Sequence, residues 1–325
     1  MSQNEPYLIL GIGEILWDLL PGDEQENGKA SADNASPFGS LGGAPANFAV
    51  MAARLGNHAA ILSRIGRDES GRAAIDRLEP TPADTKFLQV DTAHETGRVT
   101  VAIHDGQPSY TIHEPAAWDF LKLTDQWVQL AERADAICFG SLAQRSAESR
   151  QTIQTMVAQT SASCLRIFDV NLRAPYFSCE VIQESLELAT VLKLNDSEVH
   201  GVLALLGLPA GDPGAHGALH SAAERLLEEF PMLQMVAVTC GCNGSLLVTR
   251  EESHDHPGFP VEVADTIGAG DAFTAALTHY LLRGADLATL NEAGNRWGAW
   301  MASQSGAMPD LPDSRRIEIA AAIGD

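Results

Sequence analysis

The chain is missing several familiar signatures. No Gly-x-x-x-x-Gly-Lys-Ser/Thr occurs in its 325 residues, which excludes a P-loop. No Gly-x-Ser-x-Gly elbow is present, which removes the usual serine-hydrolase reading. Gly11-Ile12-Gly13 follows an apolar run, but the third glycine of a dinucleotide fingerprint is absent and Glu14 to Leu20 do not open as a capped helix. No apolar run approaches the length of a bilayer span, and Met1 to Pro6 lacks the basic and apolar regions of a signal peptide, so a cytoplasmic protein is expected. Basic residues are scarce: 21 Lys and Arg stand against 43 Asp and Glu, a net charge of -22 that argues against nucleic acid or an anionic membrane as partner. Any phosphate must be held by local groups. The five cysteines are an odd number, poor material for a disulfide framework. Cys138, Cys164 and Cys240 lie in or beside apolar runs and read as buried thiols, while Cys240 and Cys242 with His254 and His256 match no structural zinc spacing.

What remains is an ordinary globular balance, 45% apolar and 20% charged, in a length that suits one large α/β domain or two smaller ones, a single domain over 1–325 being expected. Apolar runs at 7–10, 136–139, 165–168, 191–194, 236–239 and 245–249 read as strands, and helical segments fall near 124–133, 147–160, 180–189, 196–206 and 221–230. Buried strands alternating with helices predict a mostly parallel central sheet covered on both faces. From 92 to 118 the character changes: Val99, Val101 and Ile103 alternate along the chain, and Asp105-Gly106-Gln107-Pro108 turns it into a hairpin. Together with residues 14–40 this hairpin is expected to make a small separate sheet. Residues 207–217, rich in glycine and proline, read as a loop.

The stretch Asp265-Thr266-Ile267-Gly268-Ala269-Gly270-Asp271-Ala272-Phe273 packs small residues, a carboxylate and a helix start into one turn. Beyond it Phe273, Ala276, Leu277, Tyr280 and Leu281 recur at helical spacing, and Arg283-Gly284 supplies a stop. Gly268, Ala269 and Gly270 leave the helix-start N–H groups open to an anion at the positive end of the dipole. Asp271 would then serve to take a proton from an attacking hydroxyl; as a plain alternative it is an N-cap. Leu41-Gly42-Gly43-Ala44-Pro45-Ala46-Asn47 leads into a helix ending at Gly56; its glycines admit close approach, and Asn47 offers a donor and an acceptor to a hydroxylated ligand. Asp18, beyond the first strand, points toward the usual crevice of an open α/β sheet.

Three further groups lie at strand ends. Asp169-Val170-Asn171-Leu172-Arg173 ends in a guanidinium suited to a phosphoryl group, or simply to a surface ion pair. Asn195-Asp196-Ser197-Glu198 reads as a capping box that opens the helix at 196–206. Thr239-Cys240-Gly241-Cys242-Asn243-Gly244 places two glycines between two strands, as an ordinary hairpin does.

Taken in order, these strings resemble the ribokinase-like (PfkB) carbohydrate kinases, whose C-terminal signature is Asp-Thr-x-Gly-Ala-Gly-Asp and whose N-terminal one is Gly-Gly-x-x-x-Asn. The resemblance implies a three-layer α/β/α fold with a small β-sheet lid that also serves as a homodimer surface. It implies ATP and Mg2+ as cofactors, K+ as a candidate third, and a small-molecule sugar as substrate. Asp271 would be the base, the Gly268-Ala269-Gly270 turn and Arg173 would meet the phosphoryl group, and Asp18, Gly42, Gly43, Asn47 and Asn171 would hold the sugar. Asn195, Thr239, Gly241, Gly244 and Asn295 would line the nucleotide. Glu198 would hold magnesium through water, and Asp265 and Ile267 a monovalent cation. Trp17-Asp18-Leu19-Leu20-Pro21 and Asn171-Leu172-Arg173 look most like fructokinases. A sister kinase for ribose, a deoxy sugar acid or a nucleoside, and a sensor that binds without turnover, are the alternatives.

Overall fold

A computed structural model describes residues 6–19, 38–104, 107–209, 211 and 217–324. The apolar first strand, β1 (Leu8–Ile12), leads through Gly13 to β2 (Leu16–Leu19), β3 (Ser40–Gly42) and α1 (Ala44–Arg54). Next come β4 (His58–Leu62), β5 (Arg64–Gly66), α2 (Glu69–Leu78), β6 (Gln89–Asp91), β7 (Gly97–His104) and β8 (Gln107–Ile112). Strands and helices then alternate: α3 (Asp125–Arg133), β9 (Ala136–Gly140), α4 (Ala147–Ala158), β10 (Leu165–Asp169), α5 (Cys179–Leu188), β11 (Val191–Asn195) and α6 (Asp196–Leu205). The chain closes with α7 (Ala218–Glu229), β12 (Met235–Thr239), β13 (Ser245–Thr249), β14 (Ser253–His256), α8 (Ala269–Leu281), α9 (Leu287–Ala302) and α10 (Asp313–Ile323).

Eight strands form the main sheet in the order β14-β13-β12-β11-β10-β9-β1-β4. From β4 to β12 every neighbouring pair is parallel, and β13 and β14 add an antiparallel edge. The two-residue period of each strand divides its side chains between two cores. Leu10, Ile137, Phe139, Phe168, Leu192 and Val236 face one, against α3 to α7. Ile9, Cys138, Ile167, Val191 and Ala237 face the other, against α1, α8 and α9. A sheet covered on both faces is what near-continuous apolar strands require.

The expected hairpin is present as β7 and β8, with Val99 opposite Ile112 and His104 opposite Gln107; Asp105 and Gly106 of its turn lie outside the described residues. A second, four-stranded sheet runs β3-β2-β7-β8, so parts of 14–40 and 92–118 do meet; residues 20–37, including Leu20 and Pro21, are outside the description. So are several positions of the 207–217 loop. Strands β4 and β14 and helices α2 and α10 were not among the sequence expectations. In α2 only Gly71, Ala74 and Leu78 are buried, an apolar face too narrow to announce itself, and the helix is started by Asp68, whose side chain accepts the Gly71 N–H. Among the described residues no helix is long and apolar enough to cross a membrane.

Candidate active site

The C-terminal ends of β1, β10, β11 and β12 converge on one edge of the sheet, where α8 begins. Asp169, the last residue of β10, is buried, and two groups hold its carboxylate. Lys193 Nζ of β11 donates to Oδ1 at 3.1 Å, and Thr274 of α8 lies 3.1 Å from Oδ2. Thr274 Oγ1 is also 2.9 Å from the Gly270 carbonyl, so one hydroxyl ties the strand end to the first turn of α8.

That turn starts from Gly268, at φ 78, where a Cβ would come within 3.0 Å of the Ala307 carbonyl. Gly268 is therefore the N-cap and Asp271 the third residue of the helix, which sets aside the N-cap reading of Asp271. Ala269 turns its N–H back to the Thr266 carbonyl at 3.3 Å. The Gly270 and Asp271 N–H groups have no acceptor among the described residues, and these point from the positive end of the helix. Lys193 adds charge beneath them: a Cβ on Gly270 would meet its ammonium at 2.9 Å.

Asp271 itself is anchored by Asn47 Nδ2, which donates to Oδ2 at 2.7 Å. Burial is the main cause that lifts the Asp271 carboxyl from 3.8 to about 7; Asp169 adds to the rise, while the Asn47 hydrogen bond and the Lys193 ammonium oppose it. A half-buried carboxylate with that proton affinity is suited to taking a proton near neutral pH. Asp18 on β2 is also pushed up, to about 6, first by burial, with Arg173 opposing and Asp265 reinforcing. Gly42, on the neighbouring β3, leaves it room, since a Cβ there would sit 3.3 Å from Asp18 Oδ2. Gly43, at φ 117, brings α1 so close to the chain that a Cβ would lie 2.3 Å from the Glu14 carbonyl.

The remaining expected residues fall into three places. Asn171, with φ 44, and Leu172 and Arg173 form a loop whose Leu172 N–H is accepted by Glu198 at 2.8 Å. Arg173 is exposed and makes no ion pair among the described residues, so the surface-pair alternative finds no partner. Glu198 accepts the Asn195 N–H on its other oxygen at 2.9 Å while Asn195 Oδ1 accepts the Glu198 N–H, so the capping box is formed. With both oxygens engaged, Glu198 fits an ion held through water rather than a directly bound one, in keeping with a magnesium that keeps much of its hydration. No cluster of three or more His, Cys, Asp or Glu suited to a metal occurs among the described residues. Asp265 accepts the N–H of Ile267 at 3.0 Å on one carboxylate oxygen and that of Gly306 at 3.2 Å on the other, which fixes the turn before Gly268.

Thr239, Gly241 and Gly244 shape the β12–β13 connection, closed by the Cys240 N–H on the Gly244 carbonyl at 2.7 Å, so the hairpin is real. Asn295 on α9 is buried, its Nδ2 donating to Ser245 Oγ at 2.7 Å and the Asn291 carbonyl at 2.8 Å. Lys193 and Glu14 were not foreseen. A lysine inside the apolar run Val191-Leu192-Lys193-Leu194 was the available signal for the first.

The pfkB family carbohydrate kinase profile matches residues 8–314. An uncharacterised sugar kinase of Pyrococcus horikoshii is 30% identical over 326 residues, covering 95% of this chain and 97% of that one. Fructokinase-2 of Zea mays is 28% identical over 321 residues, covering 94% and 91%. The crystal structure of the Pyrococcus sugar kinase aligns with a TM-score of 0.79 at 29% identity, over 97% of this chain and 99% of its own. Fructokinase from Vibrio cholerae, solved with fructose, ADP and calcium, aligns at 0.76 and 26% identity, over 96% and 98%. An anion-ready helix start on a ribokinase-like α/β fold, with relatives matching end to end, leaves one assignment: the chain belongs to the pfkB family of carbohydrate kinases.

Proposed function

We propose that this sugar kinase transfers the γ-phosphoryl group of ATP to a primary hydroxyl of fructose, giving fructose 6-phosphate. The observation that carries the reading is Asp271: half-buried, held by Asn47, with a carboxyl near 7 and helix-start N–H groups beside it. Asp271 accepts the hydroxyl proton as the oxygen attacks phosphorus. The N–H groups of Gly270 and Asp271, in the turn set by Gly268 and Ala269, meet the charge on the moving group, with Lys193 behind them and Arg173 reaching in from its loop. Asp18, Gly42, Gly43, Asn47 and Asn171 hold the sugar. Asn195, Thr239, Gly241 and Gly244 border the nucleotide, and Asn295 supports that side through α9. Magnesium, with its waters held by Glu198, would neutralise the β and γ phosphates, and a monovalent cation would stiffen the Asp265–Ile267 turn. The four-stranded sheet acts as a lid that keeps water from the nucleotide, and its outer surface is the dimer contact. The protein works in the cytoplasm.

Fructose is supported by the maize and Vibrio relatives. The test is coupled ADP release with Mg-ATP and potassium against a panel of sugars and nucleosides, on wild type and Asp271→Asn. Turnover on fructose that falls at least ~100-fold in the variant is expected. Turnover on ribose, a sugar acid or a nucleoside instead keeps the base and discards fructose. Sugar binding by calorimetry with no turnover on any acceptor overturns the enzyme reading in favour of a sensor.

A further inference from the structure

Glu14 lies two residues beyond the end of β1 and is 3% exposed. A carboxyl at that depth needs partners. The N–H groups of Glu14 itself and of Ala44, the first residue of α1, lie near enough to hold its proton affinity down against burial. This makes Glu14 a cap supplied from outside the helix, since Gly43 at the N-cap has no side chain to offer. Capping accounts for only part of the group. Among the described residues Glu14 Oε2 is buried with no hydrogen-bond partner.

The same holds for Asn47 Oδ1, in the first turn of the helix that Glu14 caps, whose Nδ2 is committed to Asp271. Both unpaired oxygens therefore belong to side chains at the start of α1. Glu14 is close enough to the base and its neighbours for charge to be felt: Asp271 responds to Glu14, and Glu14 responds to Arg173 and Asp169. Burial pushes the Glu14 carboxyl up, against its two backbone hydrogen bonds and Arg173. An ionised Glu14 would accept a hydrogen bond at Oε2 and a protonated one would donate it, and an alcohol serves either state because a hydroxyl does both.

We propose that Glu14 is a sugar-recognition residue: its free oxygen pairs with a hydroxyl of the acceptor other than the one that attacks, while Asn47 Oδ1 takes a second. The ligand class is an uncharged polyol whose hydroxyl spacing is read by Glu14 and Asn47 together. The inference rests on the sugar-kinase reading above.

The experiment compares wild type, Glu14→Gln and Glu14→Leu, using fructose, or whichever sugar of the panel turns over fastest, and its monodeoxy analogues. Glutamine can still cap α1, so it guards against loss of folding, which thermal melting monitors. The expected result is a sugar KM raised about 10-fold in Glu14→Leu and less in Glu14→Gln, with the ATP KM unchanged. One deoxy analogue, already poor with wild type, should lose nothing more in the variants, which identifies the hydroxyl that Glu14 reads. An unchanged sugar KM in Glu14→Gln and Glu14→Leu, or an equal loss on every analogue, overturns the proposal and leaves Glu14 as a cap. If wild type phosphorylates no sugar, the kinase reading fails separately. Calorimetric fructose binding then decides Glu14: weaker binding in Glu14→Gln supports its role, and equal binding ends it.

Discussion

Two buried polar clusters lie at the same end of the sheet and could hardly differ more. Around α8, Glu14, Asn47, Asp169, Lys193 and Asp271 bring charges together, leave two oxygens without partners and hold one carboxyl near 7. Between β13, β14 and α9, Ser245, His254, Asn291 and Asn295 are joined by bonds of 2.5 to 3.4 Å, and none of their buried atoms is left unpaired among the described residues. Burial alone therefore does not mark a functional site. The distinction is that one cluster is complete within the chain, while the other keeps hydrogen-bonding capacity and charge that no group of the described chain satisfies.

The largest effects should come from the incomplete cluster. Asp271→Asn should cut kcat by at least ~100-fold and yet stabilise the protein. The sign follows from the raised carboxyl: with about 7 folded against 3.8, the folded state holds the proton more tightly, so stability declines as pH rises from about 4 to 7. Melting curves of the variant should thus lie above wild type by a few degrees at pH 8 and converge with it near pH 4. In wild type kcat/KM should fall as pH drops below about 7, when Asp271 takes up its proton. A variant that melts lower at pH 8 would mean that Asp271 is structural, and the contrast between the clusters would break.

Lys193→Met comes next. It strips the buried Asp169 carboxylate of its ammonium, leaving only Thr274, and breaking such a pair costs about 3–5 kcal/mol in denaturant unfolding. Because Lys193 also pulls Asp271 down, the acid limb of kcat/KM should move to higher pH. Asn291→Ala should cost about 1–3 kcal/mol by leaving Ser245 and Asn295 short of partners, with both substrate KM values unchanged. A raised ATP KM with stability intact, in Asn291→Ala or Asn295→Ala, would move the complete cluster into the nucleotide site.

The contrast also bears on what the chain discloses before it is folded. Asp265 to Phe273 and Leu41 to Asn47 were legible because their chemistry depends on residues a few positions apart, and the strands β9 to β12 because two-sided burial leaves an apolar run. Asn47 and Asp271 were each named, but their bond spans 224 positions, a distance that no local pattern encodes. Lys193 was hidden for the opposite reason, as a single charge inside a run that reads as core, its partner supplied by the parallel neighbour β10. For Asn195–Glu198 and Thr239–Gly244 the structural reading and the functional one are compatible, since a capping box and a hairpin can each present atoms to a nucleotide. Strand β4, His58-Ala-Ala-Ile-Leu, was missed because two alanines dilute its apolar signal, although all but His58 are buried.

The smallest effect should appear at the rim of the complete cluster, where Glu292 bonds His256 at 2.8 Å and Arg296 at 2.5 Å. Burial alone would raise its carboxyl, but the hydrogen bonds from His256 and Arg296 outweigh burial and hold it below 4.5. A depressed acid contributes stability above its unfolded value and loses it as pH falls through its folded one. Glu292→Gln should therefore cost under about 1 kcal/mol at pH 7, since both partners are partly in solvent and exposed pairs are weak. The gap to wild type should close as pH falls below 4.5 and narrow in high salt at any pH. If the gap instead persists at pH 3, the loss comes from packing between β14 and α9, and the rim belongs to the same neutral framework as Asn291.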